Sequence, residues 1–150
     1  LIDRVPIPEV NVHHMQGELS PEEGALVYEQ LLYRYFSWKT PVFDLVLLGM
    51  GEDGHTASLF PGDRSLRERK RWVIAIDHNQ PPVPAVPRLT LTLPILNFAR
   101  KVIFLVAGES KAETVRRILV SGGKLPAGMV KPVSGNLKWM LDKAAGTEVG

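Results

Sequence analysis

The stretch Asp44-Leu45-Val46-Leu47-Leu48-Gly49-Met50-Gly51-Glu52-Asp53-Gly54-His55-Thr56-Ala57-Ser58-Leu59-Phe60-Pro61 decides the reading of this chain. An apolar run over 42–48, broken only by Asp44, empties into a turn holding Gly49, Gly51 and Gly54, and the turn ends on Asp53 and His55. Continuous apolar runs of this kind are strands buried on both faces of a parallel sheet. The loops that follow such strands sit at the ligand crevice of open α/β sheets. Closely spaced glycines let backbone amides face one concavity, which favours an anion or a developing oxyanion. An imidazole beside such a nest can activate water, and Asp53 is close enough to set its tautomer or charge. A histidine in an arbitrary loop more often caps a helix or packs beside it. The glycine nest moves His55 toward chemistry.

Working outward, the elements alternate. Residues 10–13 read as a short strand. Ser20-Pro21-Glu22-Glu23 is a helix start, with serine as N-cap, proline in the first turn and glutamate three after the cap. Ala25, Tyr28, Leu31, Leu32 and Tyr35 follow at helical spacing, so the helix runs to about Phe36. After the glycine loop, 56–60 is expected as a short helix stopped by Pro61-Gly62. Residues 72–76 read as a buried strand, 77–87 as a proline-rich ordered loop containing His78, 88–93 as period-two strand and 94–99 as a helical turn or two. A third buried strand is expected over 102–107, then a helix from 108–111 to Leu119 or Val120, closed by Ser121-Gly122-Gly123. Residues 126–132 read as loop and 137–145 as a C-terminal helix. Strands separated by helices imply parallel crossovers and a three-layer α/β/α arrangement with a mostly parallel sheet.

Bulk properties bound the function. The chain has 150 residues, a length that suits one domain, 1–150, with one core. Its net charge of +2 is too mild to imply a nucleic-acid partner, yet it tolerates an anionic small substrate. Arg67, Arg69, Lys70 and Arg71 form one short basic run, read as a solvated surface segment. Cysteine is absent, which excludes disulfides and thiolate metal sites and is compatible with a reducing cytoplasm. No apolar stretch reaches the roughly 18 residues of a membrane helix, so no membrane partner is read. Leu1-Ile2-Asp3-Arg4-Val5 has no initiator methionine and resembles the tail of an amphipathic helix. The chain is therefore expected to begin inside a domain.

The residues raise two other sites. Gly49, Gly51 and Gly54 formally satisfy a dinucleotide-binding spacing, and Asp77 ends the next strand where a ribose-binding acid would sit. That site needs a substantial crossover helix under the pyrophosphate, and Pro61-Gly62 cuts it short. His13 and His14 point to opposite faces if extended, and no H-x-x-x-H spacing exists, so no metal is read. Trp38, Trp72 and Trp139 read as core or boundary residues.

The run 44–62 resembles the signature of 6-phosphogluconolactonases. Three further stretches agree: Pro87-Arg88-Leu89-Thr90-Leu91-Thr92-Leu93-Pro94 with Leu96-Asn97, then Val106-Ala107-Gly108-Glu109-Ser110-Lys111-Ala112, then Ser134-Gly135-Asn136-Leu137 with Trp139. The resemblance runs over nearly the whole chain. It implies a Rossmann-like fold of the sugar-phosphate isomerase type. Family members are longer at the N-terminus, with a further strand, a glycine-glycine-serine phosphate loop and an aspartate-glutamate-arginine segment, so the chain resembles an N-terminally truncated member.

The resemblance implies hydrolysis of 6-phospho-D-glucono-1,5-lactone to 6-phosphogluconate in the pentose phosphate pathway, in the cytoplasm and without a cofactor. By similarity His55 is the general base and Asp53 orients it or tunes its charge. Arg88 and Lys111 match basic positions used on the phosphate, and the amides around Gly49, Gly51 and Gly54 are candidates for the oxyanion. A lysine in the first turn of a helix opposes the helix dipole, which makes more sense beside a bound anion. The partner implied is a phosphorylated sugar lactone; oligomeric state is left open. The nearest rival, an amino-sugar-phosphate isomerase or deaminase, carries a glutamate before the proline, where this chain has Phe60. A noncatalytic sugar-phosphate-binding fragment is the alternative from another class.

Overall fold

Ser20 accepts a hydrogen bond from the Glu23 amide at 3.4 Å, Pro21 takes the first helical position, and α1 runs Pro21–Tyr35 with Phe36 as its C-cap. Glu22 and Glu23 in the first turn and Arg34 in the last complement the helix dipole. The computed structural model describes residues 2–77 and 86–149. Most of the loop expected over 77–87 lies outside the described residues, and His78 with it.

Among the described residues the strands form two sheets. β1 (Val46–Leu48), β4 (Lys101–Val106) and β5 (Asn136–Leu141) make a parallel sheet in the order β1-β4-β5. Leu48 lies opposite Phe104 and Phe104 opposite Trp139. β2 (Val73–Ile76) and β3 (Arg88–Leu91) pair antiparallel as a separate ribbon. The fold is mixed α/β with a mostly parallel sheet.

The sheet's inner face builds the main core. Leu48, Val102, Phe104 and Val106 pack with Leu93 and Leu96 of α2 (Leu93–Asn97), Val115 and Ile118 of α3 (Ala112–Leu119), and Ala127 of α4 (Pro126–Met129). Period two accounts for the sorting on β4: Val102, Phe104 and Val106 are buried, whereas Lys101 and Leu105 are exposed. Leu47, Leu105 and Met140 are likewise exposed. A smaller cluster of Ala25, Leu32 and Val73 joins α1 to the β2–β3 ribbon.

Several expectations are corrected. Glu9–Asn11 is a 3-10 turn with no buried residue rather than a strand over 10–13; among the described residues no strand pairs with it. Only Val46–Leu48 of the apolar run pairs as strand, although the Arg100 amide still donates to the Phe43 carbonyl at 2.8 Å. Residues 56–60 form a tight turn closed by a Thr56–Leu59 bridge, with Ala57 at φ 50°, a left-handed conformation no helix interior accepts. Pro126–Met129, expected as loop, is a short helix with proline in its first turn. Residues 136–141 are strand β5, not helix. Six residues pair with β4, and Trp139 stacks on Phe104 at 4.1 Å and 9°. Local periodicity lost there to an open strand edge, the usual tertiary override of propensity.

Candidate active site

β1 ends at Leu48, and the glycine loop turns on its own backbone. The Gly51 amide donates to the His55 carbonyl at 2.9 Å, the Gly54 amide to the Gly51 carbonyl at 3.0 Å, and the Thr56 hydroxyl to the Gly49 carbonyl at 2.8 Å. Asp53 sits at the centre. Its Oδ1 accepts the His55 amide at 3.0 Å and lies 2.6 Å from His55 Nδ1. An ionised carboxylate can only accept, so against one Nδ1 is the donor, and in the neutral imidazole Nε2 then carries the lone pair. The His55 and Asp53 side chains are 23% and 31% exposed, enough for a small molecule to reach them.

The three glycines do different work. A Cβ on Gly51 would overlap the His55 imidazole and crowd Asp53 Oδ1, so the pair occupies the space a side chain would need. Gly54 adopts φ +84°, and a Cβ there would stand 2.8 Å from the Leu125 side chain. Around Gly49 nothing lies within 4 Å of such an atom. The Gly51 and Gly54 amides are already spent inside the loop, so shape rather than N–H donation is what these two positions supply.

Phe60, fully buried, links His55 to Arg88. The imidazole packs 4.7 Å from the Phe60 ring, and the Arg88 guanidinium stands 5.9 Å from the centroid of the same ring. Arg88 Nη1 also donates to the Val86 carbonyl at 2.8 Å, and the residue lines an open groove of about 410 Å³ with Gln16, Ser58 and Leu89. His55 is not among that groove's lining residues. Lys111 ends the 3-10 turn Glu109–Lys111 ahead of α3 and faces Glu52 Oε1 at 3.9 Å. The structure thus brings Asp53, His55 and Gly51 into contact, joins Arg88 to them through Phe60, and brings Lys111 to the loop through Glu52. A further cleft of about 540 Å³, over 63–77, takes in none of the predicted site residues.

Two residues take places in the site that the sequence does not announce. Phe60, which stands where the isomerase rival has a carboxylate, packs between His55 and Arg88. Thr114, buried on α3, donates to the Glu52 carbonyl at 2.5 Å, and nothing in its helical surroundings announces a partner in a distant loop.

Similarity to known proteins agrees with the resemblance. Human 6-phosphogluconolactonase is 47% identical over 148 residues, which cover 97% of this chain and 57% of the human one. The crystal structure of 6-phosphogluconolactonase from Thermotoga maritima superposes with a TM-score of 0.79 at 34% identity, over 95% of this chain and 61% of that one. A solved structure described as devB protein gives a TM-score of 0.88 at 32% identity, covering all of this chain and 63% of its own. This chain therefore spans roughly three-fifths of the length of these relatives. Residues 1–139 match the family described as glucosamine-6-phosphate isomerases/6-phosphogluconolactonase, and the chain belongs to that family.

Proposed function

We propose that this chain carries the water-activating half of a 6-phosphogluconolactonase, hydrolysing 6-phospho-D-glucono-1,5-lactone to 6-phosphogluconate in the pentose phosphate pathway. The observation that carries the reading is the 2.6 Å contact between Asp53 Oδ1 and His55 Nδ1. It leaves Nε2 as the basic nitrogen, on a side chain open to solvent.

In this mechanism Nε2 takes a proton from water as the oxygen attacks the lactone carbonyl carbon. The tetrahedral oxyanion collapses, the bond from that carbon to the ring oxygen breaks, and the imidazolium returns its proton to the departing oxygen. The products are the carboxylic acid and a free hydroxyl. Asp53 stabilises the imidazolium between the two steps, holding one tautomer throughout. Arg88 and Lys111 serve the phosphate, Arg88 through a planar fork matched to phosphate oxygens. Gly51 and Gly54 give the loop its shape; the Gly49 end remains a candidate for the oxyanion. No cofactor enters the scheme. Phe60 before Pro61 favours hydrolysis over amino-sugar isomerisation, because the ring-opening carboxylate is absent from that position. A cytoplasmic setting belongs to the same reading; among the described residues no helix is long and apolar enough to cross a membrane.

His55→Asn in the natural gene product tests it. Loss of a general base lowers kcat by about 10²–10⁴-fold, measured above the spontaneous opening of the lactone. Undiminished turnover would remove His55 from the mechanism. Binding of 6-phosphogluconate with no turnover in the unaltered protein would favour a sugar-phosphate-binding role.

A further inference from the structure

Thr114 sits one turn after Lys111 on α3 and is 5% exposed. A buried hydroxyl needs a partner, and a helical threonine ordinarily finds it in the carbonyl one turn back. Thr114 instead donates to the Glu52 carbonyl, 62 positions away in sequence, at 2.5 Å. Packing alone would be served by a side chain of the same shape without the hydroxyl.

The loop's other tied carbonyls are held differently. Gly49 O is held by the Thr56 hydroxyl and Gly51 O by the Gly54 amide, both within the loop, and Gly54 O by the Ala127 amide at 3.0 Å. The Glu52 carbonyl depends on a side chain from another element. It belongs to the peptide unit that also contains the Asp53 nitrogen, and that unit is planar. Fixing the carbonyl therefore fixes the N–Cα bond from which Asp53 is built; the His55 amide then holds Asp53 Oδ1, and that oxygen orients the imidazole through Nδ1.

We infer that Thr114 is a positioning residue for the Asp53–His55 pair, acting through the Glu52 carbonyl; this rests on the hydrolytic reading of His55. The hydroxyl keeps one peptide plane from rotating, and so keeps Nε2 aimed at the attacking water.

The test compares Thr114→Val and Thr114→Ser with His55→Asn in the natural gene product. Turnover, KM, melting temperature and the downfield proton resonance of His55 Nδ1–H are measured. Thr114→Val should lower kcat by up to about 10²-fold, the cost of a misplaced catalytic group, with KM unchanged and the Nδ1–H resonance broadened or shifted. Thr114→Ser, which keeps the hydroxyl, should restore both kcat and the resonance. Normal kcat in Thr114→Val overturns the inference. So does a rise in KM alone, which would assign Thr114 to the Lys111 turn. So does Thr114→Ser behaving as badly as valine, since packing would then explain the loss. If Thr114→Val does not fold, Thr114→Ala takes its place under the same criteria. Full turnover in His55→Asn would instead defeat the hydrolytic reading. The Nδ1–H resonance would then still judge the Thr114 linkage by itself, and an unchanged signal in Thr114→Val would overturn it.

Discussion

At the level of single residues, Gly51 and His55 form one unit, because the imidazole lies where a Gly51 side chain would be. Gly51→Ala should abolish most lactone turnover by displacing the Asp53–His55 pair. Its stability cost should stay within the about 1–3 kcal/mol typical of overpacking, since the pair is partly open to solvent and can move. Enzyme assay and thermal melts on the same preparation separate the two effects. Arg88→Ala should act on binding: losing hydrogen bonds to a charged group costs roughly 1.5–3 kcal/mol, which raises KM by about ten- to hundredfold. A fall in kcat with KM intact would move Arg88 from the phosphate to the reacting centre.

Among the elements, the join between α1 and the β2–β3 ribbon depends on Glu29. This buried carboxylate accepts from Arg71 Nε at 2.7 Å and from the Trp72 and Val73 amides at 2.6 and 3.3 Å. Glu29→Ala takes the acceptor from the Trp72 and Val73 amides, while the half-exposed Arg71 guanidinium can turn to water, and should destabilise the fold by about 2–3 kcal/mol in urea unfolding. Glu68 governs the turn that leads into β2. The Lys70 amide, followed by that of Arg71, holds its carboxylate below the usual range. A depressed folded value means the stabilisation is present above the unfolded value and is lost as pH falls through the folded one. Glu68→Gln should therefore narrow the difference in melting temperature between neutral and acid solution. An unchanged difference would show that the carboxylate has no role in that turn.

Across the molecule, the two hydrophobic clusters differ in size, and stability should follow. β4 is the middle strand of the parallel sheet, with Val102 and Phe104 at zero exposure, whereas among the described residues the α1–ribbon cluster has Ala25, Leu32 and Val73 as its buried members. Native-state hydrogen exchange should find the β4 amides slowest and the β2–β3 ribbon opening at lower free energy, as a separate unit. Phe104→Ala should cost about 3–5 kcal/mol, with Trp139 losing the ring it stacks on. Uniform exchange across both sheets would instead mean one cooperative block.

Read alone, the amino-acid order determined whatever depends on neighbours a few positions apart. It placed α1 with its serine cap, the apolar run into the glycine turn, the β4 strand, the helix after it, and the Asp53–His55 pair, whose spacing of two lets one carboxylate oxygen reach both the amide and the ring. Tertiary structure decided what depends on partners far along the chain. Residues 136–141 became strand because β4 had an edge to fill, and 73–76 left the main sheet to pair with the segment returning at 88–91. Phe60 became the surface between His55 and Arg88, and Thr114 reached back to Glu52. Caps, turns and periodicity are short-range physics written in adjacent residues. Strand pairing and a single buried hydroxyl's choice of acceptor are settled only when the whole chain has condensed.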